Sequence, residues 1–397
     1  MRRAPPLAGL AMLGALLALP ALAKEGDTFR PFVSYARYYD SNLFRLAESE
    51  YALVPQRSDQ YGVLGAGLNV DWQPGRQRIT ASASKNQVRF ARNAQLDYDG
   101  SDYQLRWNWR LGNRWSGWVG ATESVTQSSF SDLAGLQINN QVTRDSRFAN
   151  ADWQLHPRWH AGLGTATSSA TNSTVQRAPL DYEDQSIWAT LGYATPKGSK
   201  LRGEIRRIEG EYPNRLSGVS VDRAYTQTEY NLLGDWNASG KLAAHAKAGY
   251  VKRQNDTLAQ RDFSGVTGRL SADYFPTGKT ALNWAIYREI ANSDDLNATY
   301  QVSTGTSLGA AWQATGKITL RADATFENRR FQGDTGLVVP GLQQRDEDTL
   351  GGSLSMRYAP VRMATIDVGL QAGRRDSNMT ANDYKFHGAF VSVRADF

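Results

Sequence analysis

The sequence contains no cysteine and only four histidines among its 397 residues. Without cysteine there are no disulfide scaffolds, thiolate zinc sites, haem attachment sites or cysteine nucleophiles. After the first 20 residues, no apolar run approaches the roughly 20 residues that a membrane-spanning helix requires. A mean hydropathy of −0.52 would by itself suggest a soluble protein. Redox chemistry by sulfur and a helical membrane protein are therefore excluded, and no cofactor is predicted.

The excess of positive charge is small, with 45 basic against 39 acidic residues. The segment 1–23 predicts a signal peptide, since two arginines precede an apolar stretch from Leu7 to Leu19 and the small-x-small sequence Ala21-Leu22-Ala23. Residues 24–397 then form the mature chain, with 43 basic and 39 acidic residues. An excess of this size does not predict nucleic-acid binding.

Aromatic residues recur at intervals of 37 to 46 residues, each at the end of a segment with alternating apolar and polar side chains. The nine marks are Trp72, Trp109, Trp153, Tyr193, Trp236, Tyr274, Trp312, Tyr358 and Phe397. Tight polar turns follow the first eight, whereas longer connections precede the next returning strand. A β-propeller also repeats at about 40 residues, but its blades have four short strands each. Two long strands per unit, with short turns at one end and long loops at the other, favour an outer-membrane barrel.

Two strands per unit give an all-β, antiparallel up-and-down transmembrane barrel of 18 strands. Sixteen strands stay open as an alternative, because two segments, 77–90 and 181–195, alternate least cleanly. The predicted strands are 29–39, 59–72, 77–90, 97–111, 114–128, 141–155, 158–171, 181–195, 199–212, 224–237, 241–254, 262–275, 279–291, 299–313, 317–331, 346–359, 363–376 and 383–397. The strand-terminal aromatics would form a girdle at the membrane interface.

Along each strand, the residues that alternate with the aromatic and apolar ones have inward parity. They are rich in charge and are predicted to line a water-filled lumen. Their basic members are Arg106, Arg110, Arg202, Arg206, Lys247, Arg253, Arg269, Arg321, Arg329, Arg357, Arg375 and Arg394. They could contact a passing polyanion, since guanidinium groups pair well with carboxylates, sulfates and phosphates. In the alternative, these arginines pair with aspartates and glutamates on neighbouring strands, so that the inward charges neutralise one another.

Each of the eight short turns carries one basic residue, which predicts a positive rim at the periplasmic mouth. The rim residues are Arg76, Arg114, Arg158, Lys197, Lys241, Lys279, Lys317 and Arg362. Such a rim could concentrate a polyanion by electrostatic steering. Attraction to anionic headgroups of the inner leaflet explains it equally well.

No motif supports catalysis or a metal site, so the protein is not predicted to be an enzyme. The G-x-S-x-G match at Gly305–Gly309 lies inside a predicted strand and lacks the strand-turn-helix context of a nucleophile elbow. His156 and His160 flank a turn and are best explained as a solvated pair. The aspartates in 97–102 resemble part of a calcium loop but lack its terminal glutamate.

The stretch Phe29–Leu46, and above all its string Tyr-Asp-Ser-Asn-Leu-Phe-Arg-Leu, resembles the start of beta-barrel porin-2 proteins. It is especially similar to the EpsL-like outer-membrane proteins of exopolysaccharide loci. The resemblance implies a barrel that exports a capsular polysaccharide or exopolysaccharide, and it implies no catalytic or binding residues.

The leading hypothesis is therefore an outer-membrane channel that exports an anionic polysaccharide from the periplasm to the cell surface. The alternative is a general or anion-selective diffusion porin for small solutes, and a barrel hydrolase and an adhesive barrel are weaker candidates. Predicted partners are outer-membrane lipid and lipopolysaccharide, the polysaccharide substrate, and periplasmic or inner-membrane export components.

Overall fold

The chain forms a single 18-stranded antiparallel sheet in a computed structural model, which describes residues 28–52, 54, 56–132, 137–215, 222–292, 298, 300–333 and 344–397. The predicted signal peptide lies outside these residues. The strands are β1 (Phe29–Asp40), β2 (Asp59–Trp72), β3 (Arg78–Phe90), β4 (Tyr98–Leu111), β5 (Trp115–Gln127), β6 (Gln141–His156), β7 (Trp159–Asn172), β8 (Tyr182–Ala194), β9 (Lys200–Glu211), β10 (Ala224–Ser239), β11 (Leu242–Asn255), β12 (Phe263–Thr277), β13 (Thr280–Asn292), β14 (Tyr300–Gln313), β15 (Ile318–Gln332), β16 (Asp346–Val361), β17 (Ala364–Ser377) and β18 (Tyr384–Asp396).

Each strand pairs with its neighbours in the sequence, and β1 also pairs with β18. In this closing ladder Phe32 lies opposite Asp396, and Asp40 lies opposite Gly388. The sheet is therefore a closed up-and-down barrel, which confirms the predicted fold and strand number. The alternative of 16 strands is wrong because the two segments that alternate least cleanly form the complete strands β3 and β8.

One parity of each strand carries apolar side chains that remain exposed on the outside of the barrel. On β4 the exposed fractions are 49% for Leu105, 44% for Trp107 and 70% for Leu111. A continuous apolar surface of this kind is unfavourable in water and favourable in lipid. We call this surface the apolar belt. No helix among the described residues has the length and apolar character needed to cross a membrane.

Aromatic side chains form a girdle at the end of the barrel where the short turns lie. Trp72 and Trp312 are about half exposed, and the rings of Trp115 and Trp153 stack across β5 and β6 with centroids 5.6 Å apart. Such rings are well suited to the boundary between lipid and headgroups. Phe397 differs from the expected girdle position because it is buried. Its backbone N–H donates to the Pro31 carbonyl at 2.8 Å, which holds the residue against β1.

The turns at this end are tight, and three of them place a glycine in the left-handed region. The φ angles are +62° at Gly75, +58° at Gly112 and +85° at Gly198. Side chains with a Cβ rarely adopt this conformation, so glycine suits these positions. In outer-membrane barrels the short turns face the periplasm, which makes this the periplasmic end.

Among the described residues, four connections at the opposite, outer end share one arrangement of hydrogen bonds. A short 3-10 turn is followed by an aspartate and by the aromatic residue that begins the next strand. The aspartate accepts a hydrogen bond from the backbone N–H of the last residue of the previous strand. The four pairs are Phe90 to Asp97 at 2.7 Å, Asn172 to Asp181 at 2.7 Å, Asn255 to Asp262 at 2.7 Å, and Ser377 to Asp383 at 2.6 Å. Each carboxylate thus closes the top of its own hairpin.

Replacing Asp181 with alanine is expected to loosen the top of the β7–β8 hairpin. The buried Asp181 carboxylate also accepts the side-chain amides of Asn172 at 2.8 Å and Asn214 at 2.7 Å, so its removal leaves these partly buried donors without their acceptor. The local cost should be about 1–3 kcal/mol. Faster amide hydrogen exchange in residues 172–182 would show it, and Glu183→Ala on the exposed face of β8 is the matched control. Equal exchange in both variants would contradict the role assigned to Asp181.

Candidate functional site

The inward face of the wall carries the residues that the sequence assigns to the channel. Arg106 lies opposite Gly120 and Arg321 lies opposite Ser355, at positions that alternate with the apolar belt. By the same ladder registers all twelve predicted channel residues occupy inward positions: Arg106, Arg110, Arg202, Arg206, Lys247, Arg253, Arg269, Arg321, Arg329, Arg357, Arg375 and Arg394. Their contact with a polyanion stays a prediction.

Six of the twelve form ion pairs with acidic side chains of the inner wall. The nearest N–O distances are 3.8 Å for Arg206 and Glu204, 3.6 Å for Arg269 and Glu289, 3.3 Å for Arg329 and Glu347, 2.7 Å for Arg357 and Asp367, 3.2 Å for Arg375 and Glu347, and 2.7 Å for Arg394 and Asp396. Mutual satisfaction of inward charges therefore accounts for half of the predicted set.

Six of the twelve also lie over inward aromatic rings. The distances from guanidinium carbon to ring centroid are 5.1 Å for Arg106 over Trp118, 4.5 Å for Arg206 over Trp188, 3.6 Å for Arg253 over Tyr225, 5.3 Å for Arg269 over Tyr287, 4.7 Å for Arg375 over Tyr384 and 3.7 Å for Arg394 over Phe32. Stacking fixes these cations against the wall. Arg253 and Arg375 are buried by their neighbours, so they face inward without lining open space.

Four predicted channel residues have neither kind of contact. Among the described residues, Arg110, Arg202, Lys247 and Arg321 have no ion pair within 4.0 Å and lie over no aromatic ring. All four lie in the half of their strands that is nearer to the periplasmic turns. Asp152, Asp273 and Asp323 share this inner surface and offset part of the charge. We call these four basic residues the unpaired cations.

The eight basic residues of the predicted rim all lie in or directly beside the periplasmic turns, and all are exposed. Arg76 donates to the Gly112 carbonyl at 2.9 Å, Lys241 to that of Pro276 at 3.3 Å and Lys317 to that of Pro360 at 2.9 Å. These bonds connect neighbouring hairpins around the mouth. The rim and the unpaired cations together concentrate positive charge at the periplasmic end of the lumen.

Aromatic side chains pave parts of the inner wall, a feature that the sequence analysis did not predict. Several lie against an inward glycine of a neighbouring strand, and a Cβ at Gly164 would come within 2.2 Å of the Trp188 ring. The same holds for Phe148 over Gly120, at 2.5 Å. A glycine of inward parity opposite an aromatic residue is the sequence signal that could have revealed this paving.

A cluster of buried charges stands near the outer end of β16. The Glu347 side chain is fully buried and forms ion pairs with three arginines. The N–O distances are 3.1 Å to Arg345, 3.2 Å to Arg375 and 3.3 Å to Arg329. Arg375 also donates to the Ser131 carbonyl in the β5–β6 connection at 3.2 Å. Strands β18, β1, β2, β3 and β4 separate β17 from β5 in the sheet, so this connection reaches across the outer mouth.

An apolar cluster also narrows the outer mouth. It consists of Leu43, Phe44 and Leu46 in the β1–β2 connection, Val88 and Phe90 on β3, and Leu96 in the connection after β3. We call it the mouth cluster. Phe130 of the β5–β6 connection lies edge-on to Phe44, with ring centroids 5.2 Å apart. Because Phe90 is opposite the inward Tyr61, the cluster packs on the inside of the barrel.

Polar contacts fix the β1–β2 connection over the mouth. Arg45 pairs with Asp40 at 2.8 Å and lies 3.8 Å from the ring centroid of Phe386. The buried Asn42 amide donates to the carbonyls of Leu46 at 2.9 Å and Lys385 at 3.0 Å. The residues that carry the family resemblance therefore shape the outer mouth.

The weak catalytic and metal motifs have structural explanations. The G-x-S-x-G sequence lies within β14, and Asp97 closes a hairpin while Asp99 pairs with Arg89 at 2.7 Å. His156 Nδ1 accepts the backbone N–H of Arg158 in its turn at 3.4 Å. Within the described part of the chain, no group of three His, Asp or Glu side chains could hold a metal ion.

Comparison with known proteins supports the barrel. Residues 228–397 match the family described as Putative beta-barrel porin 2. Among solved structures, a BenF-like porin from Pseudomonas fluorescens Pf-5 is 8% identical over 94% of this chain and 99% of its own, with a TM-score of 0.50. OccK1 (OpdK) from Pseudomonas aeruginosa is 10% identical over 93% and 99%, also with a TM-score of 0.50. No curated protein matches the sequence.

The closed barrel, its apolar belt and the porin match agree on the location of the protein. It is a porin-like barrel of the bacterial outer membrane, as the sequence predicts. At 8% and 10% identity the solved neighbours establish the fold alone.

Proposed function

We propose that this barrel is an anion-preferring diffusion channel for small solutes. The observation that carries the proposal is the position of the unpaired cations, which occupy the same end of the lumen as the exposed rim. Charged rings in a pore attract ions of opposite sign and exclude those of like sign. The match to a porin family supports this function over polymer export.

The outer mouth supports small rather than polymeric solutes. The mouth cluster and the contact between Arg375 and Ser131 place parts of two connections over the lumen. A long polysaccharide would have to displace these segments, whereas a small solute would pass beside them. Between the aromatic patches the inner wall carries charged and polar side chains, as a pathway for hydrated ions requires.

Ion selectivity in planar bilayers tests the proposal. The wild-type channel should pass chloride in preference to potassium. A variant in which Arg110, Arg202, Lys247 and Arg321 are all glutamine should lose about fivefold in this ratio, the effect of a ~1 kcal/mol interaction between charges in water. The preference should also weaken at high salt because exposed charges are screened.

Arg207→Gln is the matched control, since Arg207 lies on β9 with Arg202 but faces outward and pairs with Glu209 at 2.9 Å. It should retain wild-type selectivity. A cation-preferring wild-type channel would contradict the proposal, and so would a fourfold variant with unchanged selectivity.

Export of an anionic polysaccharide is the second candidate. It is supported by the resemblance of Phe29–Leu46 to exopolysaccharide-locus proteins and by inward aromatics such as Trp118, since aromatic rings stack on sugar faces. Liposome swelling with neutral sugars of increasing length separates the two functions. Exclusion of long oligosaccharides supports the diffusion channel, and their passage supports export.

The lipid contacts form a separate part of the proposal. The exposed rim residues would meet anionic headgroups of the inner leaflet, and the outer ends of the strands would meet lipopolysaccharide. Periplasmic or inner-membrane export components would be needed as partners only under the second candidate.

A further inference from the structure

A cavity of about 470 Å³ lies in the inner wall, about midway along strands β4 to β9. Its lining combines aromatic rings with basic and hydroxyl side chains, and every lining residue has inward parity. Ligand pockets of roughly 300–1,000 Å³ hold small organic molecules. The lining residues that matter here are Arg106, Trp118, Phe148, Trp188 and Arg206.

The aromatic part of the cavity is held in a fixed geometry. Trp118 and Trp188 stack with centroids 6.1 Å apart and an interplanar angle of 26°, and Phe148 meets Trp118 edge-on at 5.3 Å. Gly120 and Gly164 leave the space in which Phe148 and Trp188 lie against the wall. The rings therefore form a preorganised apolar surface inside an otherwise polar lumen.

Two arginines supply the positive charge in the cavity, and they differ in whether an acidic side chain lies nearby. Arg206 lies 3.8 Å from Glu204, whereas Arg106 is exposed, donates to the Asn108 amide oxygen at 3.0 Å and has no acidic partner within 4.0 Å among the described residues. The cavity also contains Asp184, but its carboxylate accepts the Tyr225 hydroxyl. Arg106, which lies over the Trp118 ring at 5.1 Å, is thus the cavity arginine whose charge has no acidic partner among the described residues.

We propose that this cavity binds small carboxylates that carry a ring. The carboxylate would pair with the Arg106 guanidinium, and the face of the ring would pack against Trp118 and Phe148. Ser146 and Ser168, whose hydroxyl oxygens lie 3.2 Å apart, would meet polar substituents on the ring. The inference rests on the proposed function, because it names the class of anion that the channel retains.

Block of the chloride current in planar bilayers tests this inference with three probes: acetate, benzoate and glucuronate. The ring acids should block at concentrations about tenfold lower than acetate, since stacking on an aromatic side chain raises affinity about tenfold. Trp118→Ala should abolish that difference, and Trp118→Phe should retain most of it. Arg106→Gln should weaken block by all three probes about tenfold.

Tyr287→Ala is the matched control, because Tyr287 is an inward aromatic on β13 outside the cavity. It should leave the block by ring acids unchanged. Preferential block by benzoate would identify an aromatic acid as the ligand, and preferential block by glucuronate would identify a sugar acid.

Two results overturn the inference: ring acids that block no better than acetate, or a Trp118→Ala variant that keeps the difference. Failure of the proposed function has a different signature. If the wild-type channel shows no anion preference while ring acids still block through Trp118, the diffusion proposal fails and the binding site stands.

Discussion

Replacing Glu347 with glutamine is expected to destabilise the folded barrel by about 3–5 kcal/mol. The fully buried carboxylate lies within 3.3 Å of three arginines, of which Arg375 has an almost completely buried side chain. The amide has nearly the same shape but no charge, so the buried Arg375 would lose the carboxylate with which it pairs, while Arg329 would keep its second carboxylate, Glu327, at 3.4 Å. The midpoint of urea unfolding in detergent micelles should fall accordingly.

Glu209→Gln provides the matched control for this variant. Glu209 also pairs with an arginine, Arg207, but its side chain is 63% exposed on the outside of the barrel. Exposed pairs of this kind contribute at most about 1 kcal/mol. Equal losses of stability in the two variants would show that the buried cluster does not hold the outer end of the barrel together.

The strands could be predicted from the sequence because their pattern is local. A period of two, a length suited to a tilted membrane crossing and an aromatic residue before each tight turn are visible without knowledge of the partner strands. Even β3 and β8, with the weakest alternation, are complete strands. The inward parity of residues such as Arg106 and Arg357 follows from the same alternation.

The partners of those inward residues could not be predicted, since they depend on the register between strands and on contacts across the barrel. Arg357 pairs with Asp367 on the next strand, whereas Arg106 lies over a tryptophan. Arg375 reaches Ser131, 244 residues away in the sequence. Parity therefore predicts which face a charge occupies, but not whether that charge is neutralised.

The inward folding of the β1–β2 connection has a signal in the sequence. Leu43, Phe44 and Leu46 are three large apolar residues within four positions of a connection between two predicted strands. Apolar side chains in such a segment need a surface to cover them. The outer part of the inner wall supplies this surface with Val88 and Phe90, which occupy inward positions that the alternation predicts to face water.

Removing the Phe44 ring should therefore open the outer mouth. Phe44 is fully buried in the mouth cluster and contacts Phe130 of the second connection, so Phe44→Ala should cost about 3 kcal/mol of local packing. That loss raises the ratio of undocked to docked connections by a factor on the order of a hundred. Because the barrel ladders remain intact, the variant should fold, conduct more current per channel and admit larger sugars into liposomes.

Val175→Ala, at a loop position that is 85% exposed, should conduct like the wild type. If Phe44→Ala makes the connection sensitive to protease but leaves conductance and size limit unchanged, the mouth cluster does not control passage, and the main structural argument against polymer export falls with it.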